Sequence, residues 1–163
     1  MANDIYNNIR AALETKLSTT LAGTGIAYEN VAFSPTTGTL FVKPTFIPTV
    51  TQPATRGLNP QLLYQGVFNV MVNAPEGSGP SLADTTCNTI TNAFAATTNI
   101  FFDQINNAIL TEDAAFILLE DGSRVLADDV VNVSIRYAER QQGRIDTPWY
   151  SVPINIGWYI YNT

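Results

Sequence analysis

Side-chain chemistry near neutral pH usually begins with histidine, and this sequence has none. That removes Ser–His and Cys–His nucleophile pairs, the commonest general base and the commonest metal ligand. The single cysteine, Cys87, would need nearby positive charge or a helix N-terminus to act as a thiolate. It shares an apolar row with Ala83, Ile90 and Phe94 instead, where a small buried core residue is the ordinary reading. One cysteine excludes an intrachain disulfide and fits a reducing compartment. The run Glu76-Gly77-Ser78-Gly79-Pro80 before a helical pattern resembles an anion cradle. No Lys-Ser or Lys-Thr follows it and Glu76 would repel phosphate, so a strand-to-helix turn fits better. The carboxylate pairs Glu112-Asp113, Glu120-Asp121 and Asp128-Asp129 have the residue types for acid–base work or calcium, but not loop-ligand spacing. Turn formation and solvation account for them. We assign no catalytic, cofactor or metal-ligating residue, and expect a protein that is not an enzyme. An enzyme working through carboxylates alone is the remaining catalytic alternative.

Binding residues are more prominent. Trp149, Tyr150, Trp158, Tyr159 and Tyr161 crowd the last segment. Strand alternation would send Tyr150 and Trp158 to one face and Trp149, Tyr159 and Tyr161 to the other. One set builds a core; the other needs a cover. A sugar could stack there, but a neighbouring subunit is the more economical cover, since interface cores favour Trp and Tyr. Arg136, Arg140 and Arg144 form the one local basic grouping, diluted by Glu139 and Asp146. They read as a solvated strand end or as inter-subunit ion pairs. Arg56 stands alone in a Pro-, Thr- and Gln-rich stretch, residues 48–60, whose length marks a functional or mobile loop. The candidate interface residues are therefore Arg56, Arg136, Arg140, Arg144, Trp149, Tyr159 and Tyr161.

The elements that position them follow from periodicity. Ile5, Ile9, Leu13 and Leu17, with Ala12, form a helical stripe that Asn3 would cap and Gly23 and Gly25 would end. Asn7, Arg10, Glu14 and Ser18 occupy its outer face. Residues 26–33 read as a short strand and 35–38 as a turn. Residues 39–47 read as a strand with Leu40, Val42 and Phe46 on one side, placed at an edge or a bulge by Pro44. Residues 62–73 form a long strand with Tyr64, Phe68, Val70 and Val72 on one face and Gly66 in their row. Pro80 opens a second helix with the stripe Ala83, Cys87, Ile90 and Phe94. Residues 95–112 are ambiguous. A hairpin over 114–126 turns at Asp121-Gly122. Two alternating strands close the chain: 130–138, with Val131, Val133, Ile135 and Tyr137 in one row, and 149–161, with Tyr150, Val152, Ile154, Ile156, Trp158 and Ile160 in one row. The order predicts one α+β domain over 1–163, a mostly antiparallel sheet flanked by two main helices.

The bulk composition agrees with an assembly part. A chain of 163 residues fits one domain, which buries roughly 70% of its unfolded surface without metals or disulfides. Only 13% of residues are charged, about half the usual share. Interface cores are depleted in Lys, Glu and Asp, so covered surface is expected. The formal charge is −6 and the eight Lys and Arg residues are scattered, which argues against gripping a nucleic-acid backbone. Asp4 and Glu14 interrupt any signal-peptide core, and no apolar run is long enough to span a membrane.

An ordered set of features resembles a known family. These are the Ile-x-x-x-Ile-x-x-x-Leu helix at 5–13, the strand Leu63-Tyr64-Gln65-Gly66-Val67-Phe68, the connection Ala74-Pro75-Glu76-Gly77-Ser78-Gly79, the helix end Ile90-x-x-x-Phe94 and the final Trp149-Tyr150-Ser151-Val152-Pro153-Ile154-x-Ile156 strand. Together, over residues 3–161, they resemble the tail terminators of long-tailed bacteriophages. The resemblance implies an α+β subunit of a virion, assembled in the host bacterial cytoplasm. It implies a hexameric ring that caps the head-proximal end of the tail tube and stops its polymerisation. Partners would be the tail-tube protein and a neck or head-completion protein, with DNA passing through the lumen unbound and no cofactor or membrane involved. Other head–tail connector, tail-tube and baseplate proteins are the next alternatives, followed by a carbohydrate- or host-binding module.

Overall fold

The computed structural model describes residues 5–57, 60–101 and 132–162. Two helices, α1 (Ile5–Thr20) and α2 (Ser81–Ala93), pack against one sheet. Its strands are β1 (Gly25–Ile26), β2 (Phe41–Pro48), β3 (Gln52–Pro53), β4 (Leu62–Pro75), β5 (Asn99–Phe101), β6 (Asn132–Arg140), β7 (Arg144–Asp146) and β8 (Trp149–Asn162). The expected caps Asn3 and Asp4, residue Val131 and the 114–126 hairpin lie outside the described residues, as does most of the 95–112 segment.

β4 and β8 form the spine. Each has 14 residues, and they pair antiparallel over their whole length, from Leu62 opposite Asn162 to Pro75 opposite Trp149. β2 and then β3 line one side of β4, while β6 and then β7 line the far side of β8. The path is β1-β2-β4-β8-β6-β5. The sheet is mixed, because β1 runs parallel to β2 while the other described pairings are antiparallel. α1 lies along β2: Arg10 sits over Phe46, and after Thr24 the chain enters β1 beside Phe41. α1 also touches β5 at the opposite edge. From β2 to β5 is about 19 Å across a flat sheet, against about 10 Å for a helix, so the sheet curls around the helices.

The core sits inside that curl. Ile9, Leu13 and Leu17 of α1 and Ala83, Cys87 and Ile90 of α2 meet Phe68, Val70, Val72, Val152, Ile154, Ile156 and Trp158 of the spine. The alternation read from β4 and β8 puts these rows on the buried face. Gly66 lies in the same row for a steric reason. A Cβ there would meet the Ile47 carbonyl oxygen and Trp158 Cζ2, both at 2.5 Å. The Trp158 ring therefore lies across β4 and stacks on Phe46 of β2, with centroids 5.3 Å apart and planes 10° apart.

Pro44 lies just past the two-residue pairing with β1, where β2 has a strand on one side among the described residues, so the position is locally an edge. The Phe46 N–H points away from β4 and donates to the Glu29 carboxylate at 3.2 Å. Two residues earlier, the Pro44 nitrogen points the same way, past the end of β1, where the described residues place no strand.

Three expectations need correction. Of the 26–33 segment only Ile26 pairs as strand, with Gly25 before it; the last backbone bond to β2 is from the Ala27 N–H, and from Asn30, at φ 57°, the chain is exposed. Residues 48–60 are not a bare loop, since Gln52–Pro53 pairs with β4 and the Ala54 N–H donates to the Gln61 carbonyl at 2.7 Å. Tyr137 does not share a face with Val133 and Ile135. A bulge between Ile135 and Tyr137 inserts Arg136 and reverses the alternation. Tyr137 crosses to the open face and covers Gly157, and Ala138 takes the inward place.

Gly66→Ala is expected to lower unfolding free energy by about 1–3 kcal/mol, because the clash is with backbone and a locked ring. A urea titration showing a change under about 0.5 kcal/mol, typical of an inert surface site, would contradict the close contact. Glu14 gives a second test. Burial pushes its carboxyl pKa up; Arg10 pulls it down and Glu29 pushes it up further. The folded state therefore holds the proton more tightly than the unfolded chain, whose value is near 4.5. This contribution is fully present below that pH and is lost as pH rises through the folded pKa. Glu14→Gln should remove that decline, seen as a flatter thermal-melt profile from pH 4 upward.

Candidate functional site

The helices cover one face of the sheet, and the opposite face carries Arg136, Trp149, Tyr159 and Tyr161 of the candidate residues. On it β4 presents Gln65, Val67, Asn69, Met71 and Asn73, and β8 presents Trp149, Ser151, Asn155, Gly157, Tyr159 and Tyr161. Neither spine strand contains a charged residue. Their polar groups satisfy each other across the register: Asn69 Nδ2 donates to Asn155 Oδ1 at 2.7 Å, and the Ser151 hydroxyl donates to Asn73 Oδ1 at 2.7 Å.

Arg136, Tyr159 and Tyr161 come together. The β6 bulge places the Arg136 guanidinium 5.1 Å from the Tyr159 ring centroid, and Tyr159 meets Tyr161 edge-on at 5.7 Å. With Thr97, Asn99 and Ser134 they line a shallow depression of about 650 Å³. Tyr161 is 54% exposed. Arg56 lies exposed in the short turn between β3 and β4, and β3 pairs with Leu63, the residue opposite Tyr161. It therefore shares that end of the spine.

The other candidates go elsewhere. Arg140, at the end of β6 opposite the inward-facing Ile154, reaches the helix side and pairs with Asp84 in the first turn of α2. Arg144 is exposed on β7, opposite Ser151. Trp149 is half-buried, packed edge-on against Phe41 at 5.0 Å, with Phe33 beyond at 5.3 Å from Phe41. The three arginines that are close in sequence thus point to three different neighbourhoods.

Two concavities were not assigned as sites from the sequence, although one is lined by Glu76, Gly77, Gly79 and Pro80 of the glycine-rich run. A trough of about 580 Å³ lies on the open face, floored by Asn69, Met71, Asn73 and Ser151 and walled by Tyr28 to Phe33 on one side and Arg144 and Asp146 on the other. Its floor is legible in hindsight from the alternate polar positions of β2 and β4; its wall is not, because residues 28–33 read as strand. A smaller cleft of about 390 Å³ sits at the start of α2, lined by Pro75, Gly77, Gly79, Pro80, Ile145 and Tyr150 with Glu76 on its rim.

Two of the chemically suggestive motifs, the glycine-rich run and Cys87, have structural places. The Glu76–Gly79 run is a turn: the Ser78 hydroxyl donates to the Pro75 carbonyl at 2.7 Å, and the Glu76 N–H donates to the Pro148 carbonyl at 3.0 Å. Cys87 is buried, and burial pushes its thiol pKa up, against a pull down from Arg140 and with a push up from Asp84. The three carboxylate pairs lie outside the described residues. Among the described residues there is no group of three His, Cys, Asp or Glu side chains placed to hold a metal, and no helix long and apolar enough to cross a membrane.

The fold recurs in a solved structure that overlays with a TM-score of 0.62 at 21% identity, covering 96% of this chain and 95% of that one. At that identity the likeness speaks for the fold alone. No curated protein matches the chain. A family model described as phage tail terminator protein matches residues 8–158. That match takes in most of α1, all of α2 and β4, and β8 as far as Trp158, and the chain belongs to the phage tail terminator protein family.

Proposed function

We propose that this chain, folded as one domain over 1–163, closes into a homo-oligomeric ring that caps the head-proximal end of a phage tail tube. The ring is hexameric, as the family resemblance implies. It halts tube growth and offers its other face to a neck or head-completion protein. It assembles in the bacterial cytoplasm, enters the virion, uses no cofactor and performs no catalysis. The observation that carries this reading is the family match over residues 8–158. The family is one of structural tail proteins.

The surface chemistry supports it. A lone monomer normally keeps charge spread over its surface. Here the spine is uncharged, and the Thr residues along α2 turn their hydroxyls back onto helix carbonyls, as in Thr85 to Ser81 at 2.9 Å and Thr89 to Thr85 at 2.9 Å. Such a surface loses little hydration when a partner covers it. Among the described residues the amide-paved open face carries no cluster of cations, which suits a wall past which DNA slides, because each phosphate contact would add affinity.

The test is assembly with and without tube protein. Native mass spectrometry should give a closed oligomer, and adding the chain to polymerising tube protein should give shorter tubes with a ring at one end by negative-stain imaging. Unchanged tube lengths, or open tubes formed by this chain alone, would refute the terminator role; open tubes would point to a tube protein.

A further inference from the structure

We infer that the outer edge of β2 is closed against strand addition by a second copy of this chain, with Glu29 as the closing side chain. The closure belongs to the single subunit, so it stands with or without the ring.

A sheet edge carries a row of N–H and C=O groups on which another copy can pair. In β2 the backbone groups of the even-numbered residues point to that edge. The Val42 carbonyl accepts from the Ala27 N–H at 2.8 Å, and the Phe46 N–H donates to Glu29 at 3.2 Å. The Thr49 N–H turns the other way, to the Gln65 carbonyl at 2.9 Å. Among the described residues β1 covers the edge only at Phe41 and Val42. Beyond them the outward positions are Pro44, Phe46 and Pro48. The two prolines have no N–H to give, and the N–H between them is held by the Glu29 carboxylate. From Lys43 to Pro48 the edge therefore offers carbonyls and no available donor.

Otherwise this edge would be a good template. Ile47 is 45% exposed, Val50 just beyond is 70% exposed, and no charged residue stands between Lys43 and Arg56. Charge along an edge is a common deterrent to pairing, and it is nearly absent here. Proline and a borrowed carboxylate replace it. The carboxylate takes the place that a carbonyl of an added strand would occupy. It is held there by Arg10 at 3.5 Å, whose guanidinium also lies over the Phe46 ring. A strand carbonyl that displaced Glu29 would exchange a charge-assisted bond for one roughly half as strong. With no second donor on either side of Phe46, nothing offsets that loss.

Glu29→Ala with Pro48→Thr opens the edge on the full chain. Both positions lie outside the core cluster, and the pair restores donors at 46 and 48. The double variant should associate at a protein concentration at least about tenfold lower than wild type needs, by sedimentation velocity. In the associated form its 46 and 48 amides should exchange hydrogen slowly, and in the dilute form quickly. Glu29→Gln keeps an acceptor at Phe46 and should associate as wild type does. If the double variant loses its cooperative melt, Pro44→Val with Pro48→Thr replaces it. That variant keeps the Glu29–Arg10 pair, and the amides to follow are 44 and 48. A folded opened variant that associates no more than wild type would overturn the inference. So would one that associates while those amides still exchange quickly. Either result leaves a ring through other surfaces untouched.

Discussion

One aromatic ring crossing one glycine ties three strands together. Trp158 of β8 passes over Gly66 of β4 and stacks on Phe46 of β2. Burying such a ring stabilises by about 2–3 kcal/mol, and the stack adds about 0.5–1.5 kcal/mol. These gains are made although the indole N–H is buried without a partner among the described residues. Phe46 in turn is the platform for α1. Tyr6 meets it edge-on at 6.5 Å, and the Arg10 guanidinium lies 5.2 Å from its ring centroid. Arg10 also pairs with Glu29 at 3.5 Å, and Glu29 accepts the N–H of Phe46 itself. The segment that walls the open-face trough is therefore anchored through the same ring. A side chain at position 66 would disturb the sheet, the first helix and the trough wall together.

The spine achieves its register without ion pairs. A one-residue slip would turn the buried row of β8 outward and place Trp158 against a side chain instead of a hydrogen. It would also break the Asn69–Asn155 and Ser151–Asn73 bonds and move Tyr137 off Gly157. Glycines covered by rings and amides paired across strands are short-range devices. They specify geometry yet leave the open face without net charge. That combination is economical for a subunit whose surface is to be covered, since desolvating amides that already bond each other costs little.

The periodic elements were legible in the sequence because local pattern and burial agree there. Helical stripes at 5–17 and 83–94 and the alternating rows of β4 and β8 describe elements with one apolar side, and each was found with its buried residues in place. What failed depended on partners distant in the chain. Residues 26–33 are apolar enough for a strand, yet Glu29 binds the edge of β2 from outside the ladder. The Arg136 bulge is set by the ladder with β8, and nothing local in Ser134–Tyr137 announces it. The arginines at 136, 140 and 144 sit at a regular spacing of four, but the bulge and the break before β7 send them to different faces. Fold class was therefore more readable than the interaction surface. The first follows from periodicity, and the second from where rows end.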